Sequence, residues 1–175
     1  MPHFNAGSWS SVGSVRKNRR LRYGALAFVI ALLSFTGARA LPSGGDDAIF
    51  RKLTDDYCAA WSTGNTDNVA KYYAKDDGLI FYDVTPFSYH GWKEYVPGVK
   101  KALLDNAAEA KLTAGRDLKV TRRGGVAWTT VPMHFYEKTQ DGKVMEADLR
   151  YTGIWEKRSS GWLLIHEHIS VPMAE

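Results

Sequence analysis

Residues 154–170, IWEKRSSGWLLIHEHIS, consist of two stretches rich in apolar and aromatic residues on either side of Ser159-Ser160-Gly161. A short polar turn that ends in glycine between such stretches is typical of a β-hairpin. Arg123-Gly124-Gly125 and Gln140-Asp141-Gly142 give the same signal, so the three turns lie about eighteen residues apart. The segments between the turns are rich in Val, Thr, Trp and Tyr. The sequence therefore predicts four antiparallel strands after Leu112.

Upstream of these strands, one segment has the four-residue apolar spacing of an amphipathic helix. The residues that recur at this spacing, with Phe50 beside them, are Ile49, Leu53, Tyr57 and Trp61. Asp46 and Asp47 suit the positive N-terminal end of such a helix. Gly64 can take the left-handed conformation that ends it.

Three more elements are predicted before the strands. Asn65 is suited to cap a short second helix. Leu79–Asp83 predicts a short strand, and a third helix is predicted from Trp92 to about Glu109, with Pro97 near its start or at a kink. Helices followed by a long meander imply an α+β domain whose helices pack on one face of a curved sheet.

The first forty residues have the composition of an export signal. Five basic residues from Arg16 to Arg22 precede an uninterrupted apolar run from Ala25 to Leu33, and small residues follow at Ala38 and Ala40. This order predicts a signal peptide over residues 1–40 and a mature domain over residues 41–175, located in the periplasm or secreted. The alternative is an uncleaved membrane anchor, for which the apolar run is short.

The charge of the chain is divided unevenly. The first forty residues hold six of the 23 Lys and Arg residues and none of the 19 Asp and Glu residues, so 17 basic and 19 acidic residues remain. We therefore expect no nucleic-acid partner, and no membrane partner after signal cleavage. Cys58 is the only cysteine, and its apolar helical surroundings favour a buried structural thiol over a nucleophile.

Three segments resemble the SnoaL-like branch of the nuclear-transport-factor-2-like superfamily. Residues 56–65, DYCAAWSTGN, are similar to the helix-to-glycine corner of the ketosteroid isomerases. Phe81-Tyr82-Asp83, followed by His90-Gly91-Trp92, is similar to the strand and the glycine before the third helix. Residues 154–170 resemble the closing hairpin of SnoaL-like proteins and of the association domain of calcium/calmodulin-dependent protein kinase II. The resemblance extends over residues 46–173, nearly all of the predicted mature domain.

The resemblance implies a cone-shaped fold in which three N-terminal helices pack on a curved, mostly antiparallel sheet around a pocket. It also implies a homodimer formed through the outer face of the sheet. The same fold serves several classes of enzyme as well as non-catalytic assembly modules, so the fold does not decide the function.

Ketosteroid isomerases combine a carboxylate base with two hydrogen-bond donors that stabilise an oxyanion. By resemblance, Tyr57 matches the tyrosine donor, and Asp83 matches the base to within one residue. The third position, an acid in the isomerases, is Gly153 in this chain. We expect Tyr57 and Asp83 to be catalytic, and the alternative is that both are structural. His90 matches a histidine that lines the pocket of the kinase association domain.

Aromatic residues are numerous enough to line a pocket. Those placed to contribute, each of which could equally belong to the core, are Trp61, Tyr82, Trp92, Trp128, Tyr151 and Trp155. His134 is a further candidate contact, because it could join His166 and His168, which share one strand face, around a metal ion. No other metal-ligand spacing accompanies the pair, so histidines hydrogen-bonded at a dimer surface or sheet edge are favoured and no metal is expected.

These observations predict an exported SnoaL-like domain that binds a small, largely apolar ligand and performs isomerase- or lyase-type acid–base chemistry without a cofactor. In this hypothesis Asp83 or His90 moves a proton, and Tyr57 stabilises the developing negative charge. The alternative is a non-catalytic ligand-binding or dimerisation module. The two hypotheses differ in the pocket, because an enzyme needs Asp83 and Tyr57 in one shared, open cavity.

Overall fold

The computed structural model describes residues 44–173, and the predicted signal peptide lies outside these residues. Its three α-helices are α1 (Gly44–Trp61), α2 (Thr66–Val69) and α3 (Trp92–Val99). A short antiparallel pair, β1 (Ile80–Phe81) and β2 (Tyr89–His90), separates α2 from α3, so the helices do not form one continuous N-terminal block. In this part of the chain, no helix is long and apolar enough to cross a membrane.

Helix α1 packs on the sheet through a face that differs slightly from the predicted one. Phe50 and Tyr57 are fully buried, whereas Ile49 is 49% exposed, so the predicted face is wrong at its first position. A strict four-residue spacing drifts around a helix of 3.6 residues per turn, and Phe50 therefore replaces Ile49 at the core. Asn65 caps α2 as predicted, because its side-chain oxygen accepts a hydrogen bond from Asp67 N at 2.9 Å.

Five strands, all paired antiparallel, form the main sheet. They are β3 (Ala107–Ala114), β4 (Lys119–Arg123), β5 (Val126–Thr139), β6 (Val144–Arg158) and β7 (Gly161–Ser170). Strands β3 and β4 pair with opposite ends of β5, and β6 lies between β5 and β7. The three predicted hairpin turns are confirmed, since they join β4 to β5, β5 to β6 and β6 to β7.

The third helix is shorter than the sequence predicts. Helix α3 ends at Val99 and is followed by a wider π-helical turn, Lys100–Leu104. Residues 107–114 then form β3 instead of the predicted end of the helix. Their pairing with residues 133–139 of β5 overrides the helix propensity of this alanine-rich segment.

The hydrophobic core lies between α1 and the inner face of the sheet. Alternate residues of β5 face this core, so Ala127, Thr129, Val131 and Met133 are buried and the residues between them are exposed. Cys58 is also buried, as predicted, and burial raises the pKa of its thiol to about 12. The predicted α+β class is confirmed, with three helices and a curved antiparallel sheet.

A β-bulge in β7 sets the direction of the residues that follow it. The pairing with β6 shifts between Leu164 and His166, which leaves Ile165 as an extra residue. Leu164 and Glu167 therefore both face inward, although they are three positions apart, and both are fully buried.

Candidate active site

A largely apolar cavity of about 300 Å³ lies between α1, the π-helical turn and the inner face of the sheet. Its apolar wall is formed mainly by Leu103, Leu112, Phe135, Leu149 and Ile169. The lining residues Val84 and Met145 are also exposed, so the cavity reaches the protein surface beside them. A cavity of this size and composition suits a small organic molecule.

Among the described residues that line the cavity, Asp83 is the only acid. Its Oδ1 accepts a hydrogen bond from Val84 N at 2.7 Å, and its Oδ2 lies 3.4 Å from the Tyr95 hydroxyl. Burial raises the pKa of Asp83 to about 6, although both hydrogen bonds favour its ionised form. A carboxyl with this pKa can take up and release a proton near neutral pH.

Glu167 is fully buried on β7 and binds three tyrosine hydroxyls. Tyr57 donates to its Oε2 at 2.8 Å, Tyr73 donates to its Oε1 at 2.7 Å, and Tyr95 also donates to Oε1. The tyrosines come from α1, from the residue after the 3₁₀ turn at 70–72, and from α3. We call Asp83, Glu167 and these three tyrosines the tyrosine–carboxyl cluster.

In the described part of the chain, the Glu167 carboxyl is contacted by hydrogen-bond donors and not by a cation. Within residues 44–173, every side chain that donates a hydrogen bond to its carboxyl is a tyrosine. Burial raises the pKa of Glu167 to about 7, the neighbouring Asp83 adds to this rise, and the tyrosine hydrogen bonds oppose it. Burial also raises the pKa of Tyr57, Tyr73 and Tyr95 well above its usual value, so all three keep their protons.

The cavity brings together Tyr57, Asp83 and Trp61, three of the residues predicted from the sequence. Trp61 is buried, and its indole N–H has no hydrogen-bond partner among the described residues. Tyr151 packs on Tyr57 with the ring centroids 5.6 Å apart, but it is not part of the cavity wall. The Tyr151 hydroxyl likewise has no partner in residues 44–173.

The other predicted contacts lie outside the cavity wall. They are Tyr82, His90, Trp92, Trp128, His134 and Trp155. Trp92 packs on Tyr73 with the ring centroids 4.7 Å apart, and Trp128 is 38% exposed on the outer face of the sheet. His134 Nδ1 lies 3.0 Å from Asp148 Oδ1, also at the surface. As ligand contacts these six residues remain predictions.

The histidines considered as metal ligands have other contacts. His166 Nδ1 lies 2.7 Å from the backbone oxygen of Ile80, and the ring of His168 packs edge-on against Tyr82. No group of three His, Cys, Asp or Glu side chains that could hold a metal ion occurs in residues 44–173.

Three members of the tyrosine–carboxyl cluster, Glu167, Tyr73 and Tyr95, are absent from the candidates predicted from the sequence. One signal for Glu167 is present in its strand. Counted by twos, it shares a strand face with Ile169, and Val171 continues this alternation just beyond the strand; both line the cavity. An acid that alternates with apolar residues on an inward face is a candidate for a buried, functional carboxyl.

Comparison with protein families places the chain among proteins of this architecture. The family model described as the SnoaL-like domain matches residues 51–174, and the chain belongs to this family. The resemblance identified from the sequence is therefore confirmed. No match was found among curated proteins.

Solved structures share the fold at low sequence identity. A nuclear transport factor 2 (NTF2-like) superfamily protein from Salmonella enterica has a TM-score of 0.67 at 15% identity, covering 74% of this chain and 94% of that protein. A ketosteroid isomerase-like protein from Erwinia carotovora atroseptica has a TM-score of 0.61 at 14% identity, covering 75% and 100%. The CaMKII hub of S. rosetta has a TM-score of 0.56 at 21% identity, covering 75% and 100%. These likenesses show the NTF2-like fold.

Proposed function

We propose that this SnoaL-like domain binds a small, largely apolar molecule in the cavity and catalyses isomerase- or lyase-type chemistry on it. In this reaction Asp83 removes a proton from the bound molecule or returns one to it. One observation carries the proposal. Asp83, with a pKa raised to about 6, is the only acid in the described wall of a largely apolar cavity of about 300 Å³. Apolar walls hold the body of a ligand by burying its surface, and a few polar groups fix its orientation.

Hydrogen-bond donors near Asp83 support the same chemistry. A proton removed from carbon leaves negative charge on the ligand, and a donor placed beside that charge stabilises the transition state. Tyr57 and Tyr95 both line the cavity. The indole of Trp61, whose N–H is unpaired among residues 44–173, is a further donor in the same wall.

Binding can be tested on the protein purified from the periplasm, by native mass spectrometry for a retained small molecule. Ala147 is a half-buried residue of the cavity wall, so Ala147→Phe should occupy part of the cavity and lower retention. Ala59 is exposed on α1, and Ala59→Phe should leave retention unchanged. Equal retention by both variants would place the molecule elsewhere.

Proton transfer can be tested on the retained molecule in D₂O. If Asp83 removes a carbon-bound proton, the molecule should gain carbon-bound deuterium, which is retained when the molecule is extracted from denatured protein and transferred to H₂O. Asp83→Asn preserves the shape but cannot act as a base, so this variant should keep the molecule and lose the deuterium incorporation. Incorporation by the variant at the wild-type rate would exclude Asp83 as the base.

Two observations favour the second candidate, a non-catalytic binding module. The Tyr57 hydroxyl already donates to Glu167 at 2.8 Å, so its proton is not free for a ligand while Glu167 is ionised. Gly153, at the position where the isomerases carry an acid, offers no side chain. A wild-type protein that retains a molecule without incorporating deuterium would establish this alternative.

We also propose that residues 1–40 are a signal peptide and that the mature domain is periplasmic or secreted. The small residues Ala38 and Ala40 support cleavage at or within about two residues of Leu41. Peptide mapping of the exported protein should find this N-terminus. Recovery of intact peptides spanning residues 31–43 from that fraction would refute the proposal.

A homodimer is proposed as well, because a fold relative is a hub and Trp128 is exposed on the outer face of the sheet.

A further inference from the structure

Asp83 and Glu167 are joined by one hydroxyl group. The Tyr95 hydroxyl donates to Glu167 Oε1 and also lies 3.4 Å from Asp83 Oδ2. Asp83 lines the cavity, whereas Glu167 is fully buried and is not part of the cavity wall. Tyr95 therefore connects a carboxyl that a ligand can reach with one that it cannot.

The number of protons in this chain of groups is constrained. A tyrosine hydroxyl has one proton to donate, and it accepts through its lone pairs. When Tyr95 donates to Glu167, it turns a lone pair to Asp83, and only a protonated Asp83 can bond to it. When Tyr95 donates to Asp83, only a protonated Glu167 can bond to it. In both arrangements, one proton in addition to those of the tyrosines lets Tyr95 form hydrogen bonds with both carboxyls. If both carboxyls are ionised, one of them faces a lone pair of the Tyr95 hydroxyl and forms no hydrogen bond with it.

The surroundings of Glu167 also oppose a second negative charge. The titratable groups that face it from the packed elements are Tyr57 on α1, Tyr73 after the 3₁₀ turn, Asp83 after β1, Tyr95 on α3 and Tyr151 on β6. Its neighbours on β7, His166 and His168, lie on the opposite face of the strand. Across the sheet on β6 it pairs with Gly153, which has no side chain. None of the groups that face Glu167 within residues 44–173 is a cation.

We propose that Asp83 and Glu167 share one proton through the Tyr95 hydroxyl, and that Glu167 is the proton store of the site. The proposal rests on the proposed function of Asp83. In the transfer, the Asp83 O–H bond breaks as a new bond to Tyr95 Oη forms, and the original Tyr95 O–H bond breaks as one to Glu167 Oε1 forms. Tyr95 ends with one proton, and Asp83 is ionised again beside the cavity. The reverse transfer returns the proton to Asp83, which can then give it to the ligand.

The elevated pKa values of both carboxyls agree with this arrangement. The pKa of Asp83 is raised to about 6 and the pKa of Glu167 to about 7, and Asp83 is one cause of the higher pKa of Glu167. Two groups that interact in this way lose their protons in steps that belong to the pair rather than to one residue. Glu167 is a positioning and proton-storing residue in this scheme, since it does not touch the ligand.

The test is a pH titration of the ¹³C-labelled side-chain carboxyl carbons by NMR, on the mature protein without added ligand. In the wild type, both carbons should show two titration steps. In Glu167→Gln, Asp83 should titrate in a single step, with its midpoint lowered by about one pH unit because the neighbouring negative charge is gone. An Asp83 curve identical to that of the wild type would overturn the proposal.

Two tyrosine variants separate sharing through Tyr95 from a general effect of the cluster, and they also decide the question if Glu167→Gln does not fold. Tyr95→Phe and Tyr73→Phe each remove one donor to Glu167, but only the Tyr95 hydroxyl lies beside Asp83. Both should raise the Glu167 midpoint, and only Tyr95→Phe should raise the Asp83 midpoint. Equal Asp83 midpoints in the two variants would overturn the proposal. Coupled titration without deuterium incorporation into a retained molecule would support the shared proton and overturn the proposed reaction.

Discussion

Glu167 links the stability of the folded domain to pH. Its pKa is about 7 in the folded protein, above its ordinary value of 4.5, so the folded chain holds a proton that the unfolded chain releases between these values. The free energy of unfolding should therefore fall as the pH rises from about 4.5 to about 7. Asp83, whose pKa is raised to about 6, also lowers the free energy of unfolding as the pH rises. Calorimetry should show a higher melting temperature at pH 5 than at pH 8.

A pair of glutamine variants tests this assignment. Glu167→Gln removes the main titrating group, so the difference between pH 5 and pH 8 should shrink, with a remainder due to Asp83. Glu146 is exposed on β6, and Glu146→Gln should keep the full difference. If the two variants respond equally to pH, Glu167 is not the source of the dependence.

Tyr57 and Tyr151 test the value of a single buried hydroxyl. Tyr57 donates to Glu167, whereas the Tyr151 hydroxyl is buried without a partner in residues 44–173. Tyr57→Phe should cost about 1–3 kcal/mol of unfolding free energy, because Glu167 loses a donor in a dry environment. Tyr151→Phe removes an unsatisfied group and should be neutral or stabilising. Denaturant unfolding at pH 8 measures both, and equal losses would refute the difference in hydrogen bonding.

Among individual residues, the sequence identifies Asp83, the carboxyl in the cavity wall, but not Glu167, its buried partner. Tyr57 and Asp83 carry a signal because they lie at positions that resemble a known site. Tyr73 and Tyr95 carry none, since a buried tyrosine in or beside a helix is normally interpreted as part of the core. The tyrosine hydroxyls come together only when separate elements pack against one another, and no local sequence pattern encodes that packing.

Among the elements, strand β6 is closely packed on the inner face at Gly153. A Cβ atom there would lie 2.6 Å from the Tyr151 hydroxyl oxygen and 3.0 Å from Leu164 Cδ2. Gly153→Ala should therefore lower the free energy of unfolding by about 1–3 kcal/mol. A Cβ atom on Gly125, in a turn, would meet no atom of residues 44–173 within 4 Å, so Gly125→Ala is the matched control.

The same contact predicts that two substitutions are not additive. Tyr151→Phe removes the atom nearest to the new Cβ, so the double variant with Gly153→Ala should recover part of the lost stability. Strict additivity in the double-mutant cycle would show that Leu164, and not the hydroxyl, limits the space at Gly153.

The elements also show where sequence patterns hold and where they fail. The turns of the three hairpins were predictable because glycine and polar residues act locally. The end of α3 was not, because β3 forms through pairing with a strand some twenty residues further along. The bulge at Ile165 was not predictable either, because it arises from the pairing of β7 with β6. Regular alternation counted from Leu164 places Glu167 on the outer face, whereas counting back from Ile169 places it correctly.

For the whole molecule, the proposed homodimer can be tested by light scattering at micromolar concentration. Alternate residues of the strands point outward, and a second subunit would cover the outer face that carries Trp128. The mature protein should have the mass of a dimer, and Trp128→Glu should shift it to monomer. Phe87 is 89% exposed in the loop between β1 and β2, and Phe87→Glu should leave the dimer intact. A wild-type monomer would refute the proposal.

Trp61 gives the cavity a built-in optical signal. Its indole lies in the cavity wall, is shielded from solvent, and has an N–H that no described residue accepts. Its ring centroid lies 6.0 Å from that of Tyr95 and 6.4 Å from that of Tyr57, so it is also in contact with the tyrosine–carboxyl cluster. Indole fluorescence responds to the polarity and hydrogen bonding of its surroundings. The Trp61 share of the emission, obtained by subtracting the spectrum of Trp61→Phe from that of the wild type, should therefore report when the cavity fills and when the charge beside it changes.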